Sequence, residues 1–204
     1  MANVVTVSRL FLLALCVGLL YMDGGAPKFV AFFLIILLLY LDTVDGQLAR
    51  RRGEVSALGS VLDIAIDRVV ENVFWITFLD LRLVPLWIPL VVVTRGILTD
   101  AVRGFALARG MTAFGMMQTG WGKFLVSSRF MRGAYGFLKS VVFCYLAGLL
   151  GLQAVWPGTP NAHWLPALTT LGLILAILTV TVTVLRGAPV LIEGRRLFAQ
   201  PNLE

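Results

Sequence analysis

Six long apolar stretches recur along this chain of 204 residues and limit its fold more than any other feature. Each is about 18–25 residues long, enough for an α-helix to cross ~30 Å of hydrocarbon. Charged residues make up 14% of the chain, whereas a soluble domain carries roughly 25%. The sequence therefore predicts an all-α integral membrane protein in which a single domain fills residues 1–204. The predicted transmembrane helices lie at about 5–22, 28–49, 57–79, 84–104, 133–152 and 165–186.

If the chain crosses the membrane six times, its basic residues are distributed unevenly between the two sides. With the N-terminus in the cytosol, the external side keeps only Lys28 and Arg82. This asymmetry follows the positive-inside rule and predicts a bacterial-type inner membrane protein with both termini in the cytosol. The isoelectric point of about 9.9 then reflects a basic rim beside anionic lipid headgroups. Nucleic acid is a poor partner, because the spans separate the basic residues from one another.

Four aspartates accompany the second and third apolar stretches, although a carboxylate at membrane depth costs roughly 2.5–3.5 kcal/mol. Asp42 and Asp45 are three residues apart and Asp63 and Asp67 are four apart, so the members of each pair share a helix face. A turn between the two helices would bring both pairs together in a polar cavity that faces the cytosol. Carboxylates this close repel one another unless cations neutralise them. Hard oxygen ligands favour one or two ions of Mg²⁺ or Mn²⁺.

Small residues separate the two carboxylate pairs. Gly46 and Ala49 are expected on the turn after Asp45, with Gly59 facing them. The lack of bulky side chains there would let a nucleotide diphosphate approach the backbone closely. Arg50 can present a planar fork of donors to phosphate oxygens. Close packing of transmembrane helices is the alternative explanation of the small residues.

Together these residues form the pattern D-x2-D-G-x2-A-R-x8-G-x3-D-x3-D, within DTVDGQLARRRGEVSALGSVLDIAID at 42–67. The pattern resembles the signature of the CDP-alcohol phosphotransferases, membrane enzymes that make phospholipids from CDP-activated lipid. The resemblance implies that CDP-diacylglycerol is the donor, that CMP leaves, and that the protein is a homodimer among membrane lipids. It also implies roles for individual residues: Asp42, Asp45 and Asp63 bind a pair of metal ions, Asp67 is the general base and a possible further ligand, and Gly46, Ala49, Arg50 and Gly59 line the CDP site.

Two further segments resemble those of bacterial phosphatidylglycerophosphate synthases. The opening NVVTVSRL is similar to their N-x-L-T-x-x-R start, with Val5 where leucine is common. The segment WGKFLVSS partly matches their G-K-x-K-T segment, because Lys123 agrees with it whereas Leu125 and Val126 depart from it. This closer resemblance makes glycerol 3-phosphate the first choice of acceptor.

Basic residues also recur in the later apolar stretches. Arg95 interrupts IPLVVVTRGIL, and Arg129, Arg132 and Lys139 form a stripe at helical spacing that enters the fifth predicted span. Cations near the carboxylate cavity are best explained by an anionic acceptor, because charge-assisted bonds to phosphate are strong. Inositol phosphate would use them equally, serine or choline would need them less, and a solvated face explains Arg129 as well. The residues predicted to bind the acceptor phosphate are Lys123, Arg132, Lys139 and Arg95.

The other polar or reactive residues have simpler explanations. Cys16 and Cys144 lie inside apolar stretches as packing residues, and His163 is an interfacial residue of an external loop. Arg68 and Glu71 are three residues apart and can pair with each other. An ion or metal transporter is the rival functional class. Transport predicts carboxylates along a path through the bilayer, whereas the four aspartates here cluster at one face.

Overall fold

The computed structural model describes the backbone of residues 2–52, 57–109, 117–156 and 163–199, and the side chains of 8–41, 62, 64–109, 117–156 and 163–195. Throughout this part of the chain the regular structure is helical, as predicted. Each of the six predicted apolar stretches coincides with one of the long helices. The elements in order are α1 (Ala2–Tyr21), α2 (Gly25–Arg52), α3 (Ala57–Asp80), α4 (Trp87–Ala108), α5 (Gly120–Gly122), a π-helix (Lys123–Ser127), α6 (Arg129–Val155) and α7 (Leu165–Ala199).

Three helices are clearly longer than the sequence pattern predicts, and one of them, α6, spans Arg129–Val155 instead of 133–152. The expectation that Gly46 and Ala49 lie on a turn is wrong, because α2 is helical as far as Arg52. The segment QLAR at 47–50 consists of good helix formers, and they carry the helix past both small residues. At the other end of the chain, α7 continues to Ala199 rather than ending near 186. Arg186 therefore lies in the interior of a helix and not at its end.

Within the described residues, two helices are long and apolar enough to cross a membrane, Arg129–Val155 and Leu165–Arg195. Shorter apolar runs occupy Ser8–Tyr21 and Gly25–Leu41. Large apolar side chains are nevertheless exposed on all six long helices. Exposed apolar surface on this scale marks contact with lipid or with another protein. Examples in chain order are Phe11, Phe33, Ile76, Ile97, Phe137 and Leu178.

The chain divides into two compact units, and each is described by itself. Unit 1 comprises Met1–Val84 and Ser140–Ile174, and unit 2 comprises Pro85–Lys139 and Leu175–Glu204. In unit 1, α1 packs against α2 and α3. The buried ring of Phe143 on α6 lies 5.2 Å from the rings of Phe74 and Trp75 on α3. These aromatic contacts hold α3 against α6.

Glycine allows α6 to approach α2 closely in unit 1. A Cβ atom at Gly151 would lie only 3.0 Å from the ring of Phe29, so this position accepts no larger side chain without displacement of the ring. Cys16 is buried and Cys144 is half-buried, and both are free thiols, in keeping with their predicted packing role. His163 is exposed in the segment where the rings of Trp156 and Trp164 lie 5.7 Å apart.

Unit 2 brings α4, the short helices after it, the first turns of α6 and the second part of α7 together. The connection that follows α4 is not a plain loop, because it contains α5 and the π-helix. Met117 and Val126 of this connection pack with Ala106 of α4 and Val190 of α7 in a small buried core. The core therefore fixes the connection against both long helices.

Candidate active site

The backbone places the two predicted carboxylate pairs on either side of one connection. Asp42 and Asp45 lie in the last part of α2, and Asp63 and Asp67 lie in the first part of α3. The side chains of three of these aspartates fall outside the described residues, as do those of the predicted CDP-binding positions. Their roles therefore stay predictions. The residues concerned are Asp42, Asp45, Asp63, Gly46, Ala49, Arg50 and Gly59.

Asp67 is held by an arginine from the first helix. The Nη2 atom of Arg9 donates a hydrogen bond to Oδ1 of Asp67 over 2.8 Å. The arginine side chain is only 3% exposed, whereas that of Asp67 is 44% exposed. A buried guanidinium thus orients a carboxylate that is still accessible from outside the protein. This arrangement suits a group that must accept a proton from a bound substrate.

In the sequence Arg9 is a cytosolic charge and a part of the NVVTVSRL segment, and its contact with Asp67 was not predicted. The signal that could have revealed its partner is its position in an otherwise apolar helix, where an arginine needs an anion. A second ion pair follows one residue after Asp67. Nη1 of Arg68 lies 3.3 Å from Oε2 of the buried Glu71, which confirms that these two residues pair with each other.

The donor chemistry of this region fits a hard divalent cation. Among the residues with described side chains, no three carboxylate, imidazole or thiolate groups gather into a metal site, and three of the four predicted ligands lie outside that set. The chain offers only carboxylate oxygens at these four positions, and Mg²⁺ and Mn²⁺ prefer such ligands. The spacing of the two pairs on α2 and α3 is compatible with ligands that come from both helices.

Two cations lie over the ring of Tyr135 in unit 2, and further cations are near one of them. The guanidinium carbon of Arg186 lies 4.9 Å from the centroid of the Tyr135 ring, and Nζ of Lys139 lies 5.8 Å from it. Both distances are within the reach of a cation–π interaction. The electrostatic neighbours of Arg186 include Arg95, Arg103 and Arg132. We call these residues the cation cluster: Arg95, Arg103, Arg132, Lys139 and Arg186.

Arg95 is positioned by a glycine on a neighbouring helix. The arginine lies on α4 and is buried, and a Cβ atom at Gly187 on α7 would lie 2.6 Å from its Nε and 2.9 Å from its Cγ. Only a residue without a side chain leaves room for Arg95 there. Oδ1 of Asp100 on the same helix lies 3.8 Å from Nη1 of Arg103, so a carboxylate lies beside one of the neighbouring cations.

The structure thus brings three of the four predicted acceptor residues into one cluster, Arg95, Arg132 and Lys139. Sequence reasoning missed Arg103 and Arg186, which it counted as cytosolic charges. For Arg186 a signal existed, since it follows directly on the last long apolar run. The fourth predicted residue, Lys123, is exposed and begins the π-helix.

The π-helix is bound to α7 at two points. Nε of Arg186 donates to the carbonyl oxygen of Leu125 over 3.1 Å. Glu193, also on α7 and buried, accepts from the backbone N–H groups of Gln118 over 2.5 Å and of Thr119 over 3.4 Å. It also accepts a hydrogen bond from the hydroxyl of Thr119. The segment that carries Lys123 is therefore held beside the helix that carries Arg186.

Chemically, the cation cluster is suited to an anion with several oxygens. Arginine presents planar forks of donors that match phosphate and carboxylate groups, and the burial of Arg95 removes competing water. Two parts of the chain thus carry chemistry. Unit 1 contains the Asp67–Arg9 pair and the aspartate-bearing helices, and unit 2 contains the cation cluster.

Comparison with known proteins agrees with these features. The family model described as CDP-alcohol phosphatidyltransferase matches residues 1–194. Over 92 residues, 44% of this chain and 47% of the relative, the sequence is 35% identical to archaetidylinositol phosphate synthase of Aeropyrum pernix. Over 98 residues, 46% of this chain and 45% of the relative, it is 33% identical to cardiolipin synthase (CMP-forming) of Streptomyces coelicolor. The matched part spans about half the length of each of these relatives.

The family match runs from the first helix into the last one, so it includes the aspartate pattern, the Asp67–Arg9 pair and the cation cluster. Because the family is integral to membranes, the exposed apolar faces of the long helices agree with it as well. The chain belongs to the CDP-alcohol phosphatidyltransferase family.

Proposed function

We propose that this protein transfers the phosphatidyl group of CDP-diacylglycerol to the hydroxyl of a phosphorylated small alcohol and releases CMP, as a step of phospholipid biosynthesis. Membership of the family supports the donor and the reaction type. The observation that carries the acceptor part is the cation cluster of unit 2, in which the buried Arg95 and further cations lie near Arg186.

The aspartates of α2 and α3 serve the donor. Asp42, Asp45 and Asp63, with Asp67 as a possible fourth ligand, would hold two Mg²⁺ or Mn²⁺ ions. When bound, such ions neutralise the diphosphate and stabilise the charge that develops on the departing CMP. Gly46, Ala49, Arg50 and Gly59 line the CDP site in this proposal.

Asp67 is the general base. Its carboxylate takes the proton from the acceptor hydroxyl, whose oxygen then attacks the phosphorus on the lipid side of the diphosphate. Arg9 keeps the carboxylate in one orientation through the 2.8 Å contact. The other contributions of the protein are the alignment of the two substrates and electrostatic stabilisation.

The cation cluster binds the phosphate of the acceptor. Arg95 is buried and Arg186 is half-buried, and the donor forks of arginine match the oxygens of a phosphate group. A phosphate dianion would thus gain charge-assisted hydrogen bonds in this cluster. We assign phosphate binding to Arg95, Arg132 and Lys139 together with Arg186, and a supporting role to Lys123.

Glycerol 3-phosphate is our first choice of acceptor, because NVVTVSRL and Lys123 match the phosphatidylglycerophosphate synthase segments. Inositol phosphate is the second candidate, and the observation in its favour is the similarity to an archaetidylinositol phosphate synthase. Both acceptors carry a phosphate, so the cation cluster serves either one.

We further propose that all six long helices cross the membrane, with the aspartate cavity and both termini in the cytosol. The large apolar side chains exposed on each long helix support six crossings, and the distribution of basic residues supports the orientation. A homodimer in a bacterial-type inner membrane completes the proposal.

The test is an acceptor screen that measures release of CMP by the purified protein in the presence of Mg²⁺. Glycerol 3-phosphate or inositol phosphate should support turnover, and serine, choline and unphosphorylated inositol should not. Arg132→Ala and Lys139→Ala should raise the KM of the acceptor far more than that of CDP-diacylglycerol. Arg129→Ala is the matched control, since Arg129 is an exposed cation at the start of the same helix. Efficient transfer to serine, choline or inositol, at a rate that these substitutions do not change, would refute the phosphate assignment.

A further inference from the structure

Glu193 is a buried carboxylate that faces a turn of main chain. Its side chain is 4% exposed, and it accepts from the N–H groups of Gln118 and Thr119 and from the Thr119 hydroxyl. Hydrogen bonds to a charged acceptor contribute more than neutral ones. The three contacts converge on two consecutive residues, so the carboxylate fixes the start of the segment that leads into the π-helix.

Gly122 makes this contact possible. A Cβ atom at Gly122 would overlap Oε1 of Glu193 and would lie 2.8 Å from Oγ1 of Thr119. The same hydroxyl oxygen accepts a hydrogen bond from the N–H of Gly122 over 3.3 Å. Thr119 therefore joins the carboxylate to the first turn of α5, and a larger residue at 122 would separate them.

Glu193 and Arg186 hold the same segment from the same side. They are seven residues apart on α7, which is about two helical turns, so they lie on one face. Glu193 binds the segment at Gln118 and Thr119, and Arg186 binds it at the carbonyl oxygen of Leu125. Lys123 lies between these two attachment points.

We infer that Glu193 is a positioning residue of the cation cluster. By holding the turn at 118–122 against α7, it keeps the Leu125 carbonyl in reach of Arg186 and thereby orients that guanidinium over Tyr135. It also sets the direction in which Lys123 leaves the π-helix. This inference rests on the proposed function in one respect, that the cluster binds the phosphate of the acceptor.

The experiment compares substitutions on both sides of the contact. Glu193→Ala removes the carboxylate, and Gly122→Ala displaces it without any change in α7. Gly120→Ala is the matched control, because a Cβ atom there meets nothing within 4 Å although it lies only two residues away. Glu193→Gln keeps the shape and one acceptor oxygen, so it should restore part of the function.

We expect Glu193→Ala and Gly122→Ala to raise the KM of the phosphorylated acceptor about ten- to a hundredfold, the effect of a displacement of ~1 Å. The KM of CDP-diacylglycerol should change by no more than about twofold in both variants, since neither substitution alters the aspartate-bearing helices. Gly120→Ala should match the wild type, and Glu193→Gln should fall between the wild type and Glu193→Ala.

A second measurement separates this inference from the proposed function. Amide hydrogen exchange of residues 117–128 should accelerate in Glu193→Ala and Gly122→Ala and stay unchanged in Gly120→Ala. Faster exchange with an unchanged acceptor KM would overturn the positioning role, and so would an equal rise of the KM values of both substrates. A wild-type protein that prefers unphosphorylated alcohols would refute the proposed phosphate site. In that case the exchange data alone would test whether Glu193 holds the segment at 117–128.

Discussion

At the scale of single residues, the Arg9–Asp67 pair is the most informative contact of unit 1. It joins two residues 58 positions apart, and it sets a buried cation behind an accessible carboxylate. A carboxylate at the end of the signature pattern could equally have been a pure metal ligand. Its accessibility and fixed orientation are compatible with both roles, because a metal ligand and a general base must each be reached in one geometry.

We predict that Asp67→Asn retains most of its affinity for CDP-diacylglycerol and loses transfer by ~10²–10⁴-fold, the usual effect of removing a general base. The amide keeps the shape of the side chain but cannot take up the proton. Lipid-nucleotide binding by the purified variant, together with CMP release, provides the measurement. A loss of binding as complete as that of Asp42→Asn would show that Asp67 is mainly a ligand.

Arg9→Gln should lower turnover because Asp67 then loses its fixed orientation. If Arg9 acts through Asp67, the double variant Arg9→Gln/Asp67→Asn should be no slower than Asp67→Asn alone, since the two effects are not independent. Turnover of the four proteins in this cycle is the measurement. Multiplicative losses in the double variant would mean that Arg9 contributes by another route.

At the scale of elements, α2 and α3 each contribute one carboxylate pair on either side of the short connection that joins them. Because α2 continues to Arg52, the small residues after Asp45 belong to a helix. Their spacing must then be understood on a helical surface, on which Ala49 and Arg50 follow Gly46 by three and four residues, the separations of neighbours on one side of a helix.

We predict that turnover depends completely on added Mg²⁺ or Mn²⁺. The reason is that four carboxylates on two adjacent helices repel one another unless cations intervene. Protein treated with a chelator should be inactive and should recover when either ion is restored. Asp63→Asn should be the most damaging single substitution among the four aspartates. Full turnover after chelation would contradict the assignment.

The contact between α4 and α7 in unit 2 gives a test of the cation cluster that leaves every charge in place. In Gly187→Ala the new Cβ atom would press on Nε and Cγ of Arg95, so the arginine must move. We expect the KM of the phosphorylated acceptor to rise and the thermal stability to change little, because alanine is the better helix former. Gly104→Ala on α4 is the control, since its Cβ atom meets open space. Equal acceptor KM values in both variants would exclude Arg95 from the site.

At the scale of the whole molecule, exposed apolar side chains occur on every long helix, although by length and composition only two of the described helices qualify as membrane spans. Polar and charged residues lie within the sequences of the other long helices, such as Asp42 after Leu41 on α2 and Arg95 on α4. Charged residues are costly at membrane depth and usually mark functional sites there, so their presence is compatible with the proposed six crossings.

The predicted topology can be measured by labelling single cysteines in a variant that lacks Cys16 and Cys144. A membrane-impermeant thiol reagent added to intact cells should label His163→Cys and should reach Arg109→Cys only after the membrane is opened. Both positions are exposed, so a difference in labelling reports the side of the membrane and not burial. Labelling of both positions in intact cells would contradict the proposed orientation.

The sequence by itself determined the fold class, the positions of the six long helices and the family. These properties depend on local patterns: the length of an apolar run, or the spacing of Asp42, Asp45, Asp63 and Asp67 along two helices. The ends of the helices were harder to predict from the sequence, as the continuation of α2 and α7 shows. A helix stops where capping and packing end it and not where hydrophobicity falls.

Only the tertiary structure decided which distant residues meet. Arg186 joins Arg95 and Arg132 from three different helices, Arg9 reaches Asp67 from α1, and Glu193 binds a turn 74 to 75 positions earlier in the chain. In the sequence Arg9 and Arg186 look like cytosolic surface charges, and nothing in the sequence links Glu193 to the turn that it binds. Their partners follow from the packing of whole helices against one another, and the spacing of residues along one helix carries no information about its neighbour.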